Sequence, residues 1–269
     1  MAKQAGLGRD GAQVVHKVLS LLKEVSASRG RGTKLTALAE AAGLPVPTAY
    51  RLLAALLAER AVERDEATRG FRLGPLLWEF GLAAAPDVDI RRFCAPALDR
   101  IAAATGDSAY VNCRSGDDAL CLDRREGSYP IQAKPIAIGN RRPLGVGATS
   151  LAVLASMPSN EVDAVVDANA ARYRRHGLTA ERVRSAVEAT RARGFAVSTG
   201  RIVARFRGVA LAIGNGVGGV PVALSVIAIE ERLDLARIET TVALLRREEQ
   251  ALRALLASEP EIQQKGSMP

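Results

Sequence analysis

Leu35-Thr36-Ala37-Leu38-Ala39-Glu40-Ala41-Ala42-Gly43-Leu44-Pro45-Val46-Pro47-Thr48-Ala49-Tyr50-Arg51-Leu52-Leu53 decides the fold. Thr36 is a natural N-cap for a short helix, Ala37–Ala42, because its hydroxyl can accept from a free backbone N–H. Gly43 stops that helix, since glycine enters the left-handed region without a steric penalty. Leu44 points back to the core, and Pro45 and Pro47 stand in the first turn of a second helix, where a missing N–H costs nothing. That second helix runs to about Arg60, with Ala49, Leu52, Leu53, Leu56 and Leu57 as its buried stripe. Two helices joined by Gly43–Val46 make a helix-turn-helix.

Working outward, Val14–Val25 sets apolar residues at 14, 15, 18, 19, 22 and 25, one face of a helix, and the polar stretch Ser26–Gly32 ends it. On the other side, Ala61-Val62-Glu63-Arg64 and Phe71-Arg72-Leu73 flank the turn Asp65–Gly70 as a hairpin. Helix, short helix, turn, helix and hairpin, in that order, predict a winged helix-turn-helix over residues 14–74, behind a disordered arm over 1–13. Pro75 opens a further helix, Leu76–Ala85, within a linker spanning 75–87. Leu76, Leu77, Trp78, Phe80 and Leu82 make it too apolar to stand alone in water, so it packs on a partner subunit or docks on its own chain.

From Val88 the pattern changes. A helix over Asp89–Thr105, bent at Pro96, precedes strands Ala109–Arg114 and Ala119–Arg125. Helices follow near Ala148–Ser156, Asn160–Ala171 and Ala180–Arg193, then strands Phe195–Thr199, Gly208–Ile213 and Val220–Ile229, then a closing helix over Arg232–Ala257. Interleaved helices and strands predict an α+β domain over 88–257 with a largely antiparallel sheet, and a flexible tail over 258–269.

Composition excludes several classes. The chain has 269 residues, 48% of them hydrophobic and 25% charged, the mixture of a folded protein with one large or two ordinary domains. Aromatics are only 4%, so Ala, Leu and Val must build the core. No apolar run approaches the roughly 18 to 20 residues of a membrane helix, and no secretory signal opens the chain. Cys94, Cys113 and Cys121 lack CxxC spacing, which suits a reducing cytoplasm. His16 and His176 stand apart without companions at ligand spacing, so neither a metal site nor histidine catalysis is expected.

Charge points to a partner. The net charge is +8, and residues 1–74 hold 12 basic and 7 acidic side chains, so most of the excess sits in the first quarter. A basic N-terminal module on a near-balanced body suggests a polyanion, nucleic acid above all; the alternative is an ordinary solvated surface rich in arginine. Gly214–Gly219 satisfies GxGxxG, but a strand follows where the dinucleotide fingerprint needs a helix, so these glycines are expected to form a hairpin turn and no cofactor is expected. Cys113 and Cys121 read as buried thiols, and Glu230-Glu231 and Glu248-Glu249 as helix-surface acids. No catalytic set is found.

The runs Leu35–Pro45, Thr48–Leu53, Val62–Asp65 and Phe71–Gly74 resemble the DNA-binding half of IclR-type transcriptional regulators. Cys121–Gly127, Arg141–Ala148 and Ala223–Val226 resemble that family's later motifs, in family order, over about Val14 to Leu256. The resemblance implies a winged helix-turn-helix joined by a linker helix to a GAF-like α/β effector-binding domain. It also implies a dimer or dimer of dimers whose grip on a double-stranded DNA operator is altered by a small molecule.

In such a reader the N-terminal end of the second helix of the pair enters the major groove, because only that end projects deeply enough. Here that end holds Val46, Pro47, Thr48, Tyr50 and Arg51. Arg51 can pair with guanine or clamp a phosphate, and Thr48 and Tyr50 offer hydroxyls. Thr36 begins a helix whose free N–H groups can take a phosphate oxygen, and Arg64, Arg69 and Arg72 on the wing suit phosphates or the minor groove. Pro47 stands where family members often carry a hydroxyl, which removes one phosphate donor.

For the effector, the resemblance implies backbone N–H groups at Ala148 and Thr149 and a strand hydroxyl at Ser225. Gly208 stands where many members carry a pocket cysteine, Ile227 where some carry a second serine, and Ser198-Thr199-Gly200-Arg201 where some carry acids. Loss of those acids and the presence of Arg201 lean toward a carboxylate or other anion, larger and more apolar than glyoxylate-like acids, so the effector is expected to be a small carboxylate or aromatic metabolite; Arg201 also reads as a plain surface charge. The competing function is an enzyme or small-molecule-binding protein that uses its N-terminal module for interaction, and it would need a nucleophile, base or metal set that residues 88–257 lack.

Overall fold

The computed structural model describes residues 7–27, 32–83, 89–134, 136–199, 204–214 and 216–258. The chain divides into two compact units, Met1–Ala85 and Pro86–Pro269.

In the first unit, α1 (Leu7–Ala27) is followed by α2 (Leu35–Ala41), α3 (Val46–Ala58), β1 (Val62–Arg64), β2 (Phe71–Leu73) and α4 (Pro75–Ala83). β1 and β2 pair antiparallel, with Glu63 opposite Arg72. The helix expected from Val14 begins at Leu7, so residues 7–13 belong to it rather than to a disordered arm; residues 1–6 lie outside the described chain. Its buried face also differs from the expected one. Leu21 and Val25 are sealed, with Val18 and Leu22 packed beside them, while Val14, Val15 and Leu19 face outward. The small core is completed by Leu38, Ala39, Ala49, Leu53, Leu56, Val62 and Phe71. Each fully buried Leu or Phe there contributes about 1.5–3 kcal/mol, and that burial holds a unit with so short a sheet together.

In the second unit, α5 (Ile90–Thr105) leads into β3 (Ser108–Ser115) and β4 (Asp118–Arg125), then β5 (Arg141–Pro143), α6 (Ala148–Ala155), α7 (Ser159–Tyr173) and α8 (Ala180–Arg193). β6 (Ala196–Ser198), β7 (Phe206–Ala212), β8 (Val222–Ile229) and α9 (Leu235–Ser258) close it. The strands form one six-stranded sheet in the order β5-β4-β3-β8-β7-β6, antiparallel at every pairing. Asp89 caps α5 by accepting from Arg92 N–H, and Gly106, at φ 70°, ends it. β5 was not foreseen; Arg141-Arg142-Pro143 is too short to show an alternation. The tail expected over 258–269 lies outside the described residues except for Ser258, which ends α9.

Alternation along the strands sorts two cores. Val111, Val209, Leu211, Leu224 and Val226 face α5 and α9, while Ala119, Ala196, Ala210 and Ala223 face α6, α7 and α8. Successive strand residues point to opposite faces, so the sheet separates the two clusters. The small alanines on the second face let α6, buried from Ala148 to Leu154, lie close against it.

Three expectations resolve here. The Gly214–Gly219 segment links β7 to β8 and not to a helix, with Val217 bridged to Val220 across the turn. Glu248, expected on the surface, is buried; Arg100 donates to it at 2.6 Å, bringing α9 against α5. Glu230 and Glu231 lie in a short 3-10 turn rather than on a long helix, and Glu231 pairs with Arg205. Among the described residues no single helix is long and apolar enough to cross a membrane, and no three His, Cys, Asp or Glu side chains gather as a metal site would require.

Candidate functional site

The helix-turn-helix is set by one backbone inversion. Gly43 takes φ 64°, a conformation L-residues resist, and its N–H donates to Glu40 O while Leu44 N–H donates to Ala39 O. The chain then turns into α3 with Pro45 as N-cap and Pro47 in the first turn. Ala49, Leu53 and Leu56 fix the inner face of α3. Val46 (42% exposed), Pro47, Tyr50 (54% exposed) and Arg51 lie outward, and Thr48 is half-buried beside them. Thr36 does not cap α2. The N-cap is Lys34, in an extended conformation, and Thr36 stands exposed within the first turn.

The wing is a tight turn. Asp65 Oδ1 accepts from both the backbone N–H and the hydroxyl of Thr68 at 2.8 Å, which holds the Asp65 carboxyl below its ordinary pKa. Arg69, at φ 56°, projects from the turn, and Arg64 lies over the Phe71 ring with its guanidinium 5.3 Å from the centroid. Arg72 is paired with Glu63 at 2.9 Å, so its charge is partly offset at home. Thr36, Pro47, Thr48, Tyr50 and Arg51 share the two helices of the turn, and Arg64, Arg69 and Arg72 share the hairpin.

The second unit contains a cleft beside the start of α6. It encloses about 500 Å3 of empty space, measured out to its open mouth, and its lining includes Asn112, Ile136, Arg142, Ala148, Thr149 and Ile227. Strand alternation delivers these side chains. Asn112 comes from β3, Arg142 from β5, Gly208 from β7 and Ile227 from β8, with Ser198 and Thr199 entering from the end of β6. The start of α6 has Gly147 as N-cap, at φ 95°, with no side chain bonded to the first turn. Its leading N–H groups lack partners within the helix and lie at the positive end of its dipole.

The loop before α6 is rigidly built. Ser150 Oγ donates to Pro143 O, Tyr173 Oη donates to Leu144 O at 2.7 Å, and a Cβ on Gly145 would come within 2.6 Å of Val183. Ser225 sits beneath the cleft with its hydroxyl 2.6 Å from that of Thr149.

Of the residues nominated for an effector, Ala148 and Thr149 line the cleft, Ser225 reaches it through Thr149, and Arg201 lies outside the described residues. Gly208 and Ile227, noted as departures from the family pattern, line it as well, and a Cβ on Gly208 would lie 3.0 Å from Ser198 Oγ and 3.1 Å from Ala148 Cβ.

Two lining residues escaped the sequence reading. Arg142 is half-buried, and burial draws its pKa down while Tyr110 and Cys121 oppose that shift; a guanidinium stays charged regardless. Asn112 is 4% exposed, and its Oδ1 has no hydrogen-bond partner among the described residues. The signals that could have found them are Arg142 inside the quoted Arg141–Ala148 motif and a polar Asn within an otherwise apolar strand. Among the described residues no acid lines the cleft, and the Arg207 guanidinium turns to the opposite face, donating to Leu233 O.

Comparison with known proteins places this geometry. Residues 14–66 match the IclR helix-turn-helix domain and residues 82–254 match the bacterial transcriptional regulator IclR C-terminal domain. The chain is 27% identical to the HTH-type transcriptional regulator KipR of Bacillus subtilis over 49% of its length and 52% of KipR, so it spans about half of that relative. It is 23% identical to the HTH-type transcriptional repressor AllR of Klebsiella pneumoniae over 96% of its length and 95% of AllR. The crystal structure of an IclR homologue complexed with 4-hydroxybenzoate, from Microbacterium hydrocarbonoxydans, shares the fold at a TM-score of 0.70 and 22% identity, covering 91% of this chain and 100% of that one. Relatives named as regulators, and two family domains in sequence, set the conclusion: the chain belongs to the IclR family of bacterial transcriptional regulators.

Proposed function

We propose that this regulator binds a palindromic operator in double-stranded DNA as a dimer or dimer of dimers, in the cytoplasm, and that a small carboxylate seated in the α6 cleft alters its grip. Residues 14–74 act as the reader, 75–87 as the linker and 88–257 as the sensor. The observation that carries the reading is the outward face of α3, where Pro47, Thr48, Tyr50 and Arg51 stand clear of a core fixed by Ala49, Leu53 and Leu56. Arg51 and Tyr50 serve base edges or phosphates, Thr48 a phosphate, and Arg64 and Arg69 the flanking backbone, with Thr36 at the start of α2 and Arg72 in lesser roles.

Outward apolar side chains support self-association: Trp78, Phe80 and Leu82 of α4 are each more than half exposed, and Val14, Val15 and Leu19 line the outer face of α1. Arg142, the leading N–H groups of α6 at Ala148 and Thr149, and a lining with no acid among the described residues support an anionic effector, as does the hydroxybenzoate bound by a structural neighbour. Arg201 is proposed as a second cation for the same ligand.

A gel shift with the intergenic DNA upstream of the gene, repeated across a salt series, tests the proposal. Specific retardation that weakens steeply with salt, because bound phosphates release counterions, is the expected result. Retardation indistinguishable from that of unrelated DNA at every salt concentration overturns it.

A further inference from the structure

We infer that the effector carries a hydrogen-bond donor in addition to its anionic group, and that Asn112 is the residue that selects for it. The inference rests on the cleft being the effector site and names the ligand class: a small carboxylate bearing a hydroxyl or amino group. Three observations meet at Asn112. Its side chain lines the cleft, it is 4% exposed, and its Oδ1 accepts no hydrogen bond among the described residues. A buried carbonyl oxygen left unmet is costly, and native proteins rarely keep one without a use.

The strand beside it is irregular. The pairing of β3 with β4 runs in step from Ala109 to Val111, then slips, so that Asn112 faces Cys121 where unbroken register would bring Leu122. The extra residue is Leu122, so β4 carries the bulge next to Asn112 while β3 runs on unbroken. On the other edge Asn112 stays in register with Ala223 of β8, whose methyl offers no hydrogen bond.

The remainder of the lining supplies complementary roles. Arg142 is a cationic residue of the cleft wall, Ile136 and Ile227 supply apolar walls, and Gly208 leaves room where any larger residue would press on Ser198 and Ala148. A carboxylate held by Arg142 and α6 therefore leaves its substituent among apolar walls, the hydroxyls of Ser198 and Thr199, and Asn112, whose Oδ1 is the buried acceptor with no partner among the described residues. A ligand with a donor satisfies that acceptor. A ligand of the same shape without one leaves Oδ1, already closed to water, unmet, so a site built around that hydrogen bond favours the ligand that makes it over the analogue lacking it.

The test is titration calorimetry of the full chain with three matched pairs: lactate and propanoate, 3-hydroxybutyrate and butyrate, and 4-hydroxybenzoate and benzoate. These set the hydroxyl at increasing distance from the carboxylate. In at least one pair the hydroxylated acid is expected to bind tenfold or more tightly, and Asn112→Leu is expected to shrink that preference below twofold while changing the plain acid's Kd by less than twofold. Equal Kd values within every pair, a comparison that needs no variant, overturn the inference and leave the cleft standing as the site. A preference that survives Asn112→Leu does the same. Binding that neither Arg142→Gln nor Gly208→Val affects puts the acids elsewhere and overturns the site itself, and silence from all six acids overturns both.

Discussion

Thr149 Oγ1 and Ser225 Oγ lie 2.6 Å apart, both buried, so that one hydroxyl donates to the other across the junction of α6 and β8. The contact ties the helix start that faces the cleft to the central strand of the sheet. Ser225→Ala leaves the Thr149 hydroxyl buried without its partner and should cost about 1–3 kcal/mol of stability. The paired change Thr149→Val with Ser225→Ala removes both polar groups and should recover most of that loss. Urea unfolding of the two single variants and the double variant measures the coupling; additive losses would show that the hydroxyls do not depend on each other.

Arg51→Ala should weaken specific operator binding by about fivefold to 150-fold, the equivalent of about 1–3 kcal/mol for a bidentate guanine contact. Its side chain is exposed and lies outside the reader's core, so circular dichroism and oligomeric state should not change. An operator affinity equal to that of the unaltered chain removes Arg51 from the interface.

Gly208→Val should abolish the response to effector while leaving operator binding unchanged. Gly208 has ordinary backbone angles, so the cost arises from space: even a Cβ would lie 3.0 Å from Ser198 Oγ and 3.1 Å from Ala148 Cβ, inside the cleft. Gel shifts with and without ligand read this directly. A full ligand response in the variant would mean that the ligand binds elsewhere.

Asp107, 1% exposed, is clasped by Arg232 at 2.9 Å and Arg237 at 2.8 Å, and the Arg232 guanidinium lies 3.7 Å from the centre of the Tyr129 ring. This cluster fastens the segment before α9 to the turn that follows α5. Removing one partner of a buried ion pair costs about 3–5 kcal/mol. Because both arginines are partly exposed and can turn to water, Asp107→Ala should fall near about 3 kcal/mol, visible as a lowered denaturation midpoint. A loss under about 1 kcal/mol would class the cluster with ordinary surface pairs.

Burial pushes the thiols of Cys94 and Cys121 up to about 12 and raises that of Cys113 as well. The thiolate is the reactive form, and raising the pKa depletes it at pH 8. Iodoacetamide should therefore label the native protein at pH 8 only as fast as the chain opens, and all three cysteines should react promptly in denaturant. Prompt labelling of the native chain at any of the three would contradict the burial.

Much of this was legible before the fold was known. The Gly43 turn, the prolines around α3 and the apolar stripe of that helix follow from backbone rules that act over a few residues. Long alternating strands such as Val222–Ile229 also declare themselves. What stayed hidden depended on distant parts of the chain. Val14, Val15 and Leu19 look as buriable as Leu21, and only the packing of α2, α3 and the hairpin decides which face of α1 is covered. Glu248 reads as a surface acid until Arg100, far away in sequence, is found donating to it. Thr36 lost the capping position to Lys34 because the helix starts two residues earlier than the hydroxyl suggests. Asn112 required knowledge of where the cleft opens on its face of the sheet, and Arg142 sits on a strand of three residues, too short to show a period.

Along Val222–Ile229 the residues alternate between two tasks: Ala223, Ser225 and Ile227 look toward the cleft side, while Leu224, Val226 and Ala228 belong to the core under α5 and α9. Core and cleft wall are thus written in interleaved letters of one strand. Of the odd letters, Ala223 and Ser225 also anchor α6, so Ile227 is the position where the cleft wall can change while the rest of the strand goes on holding the protein together.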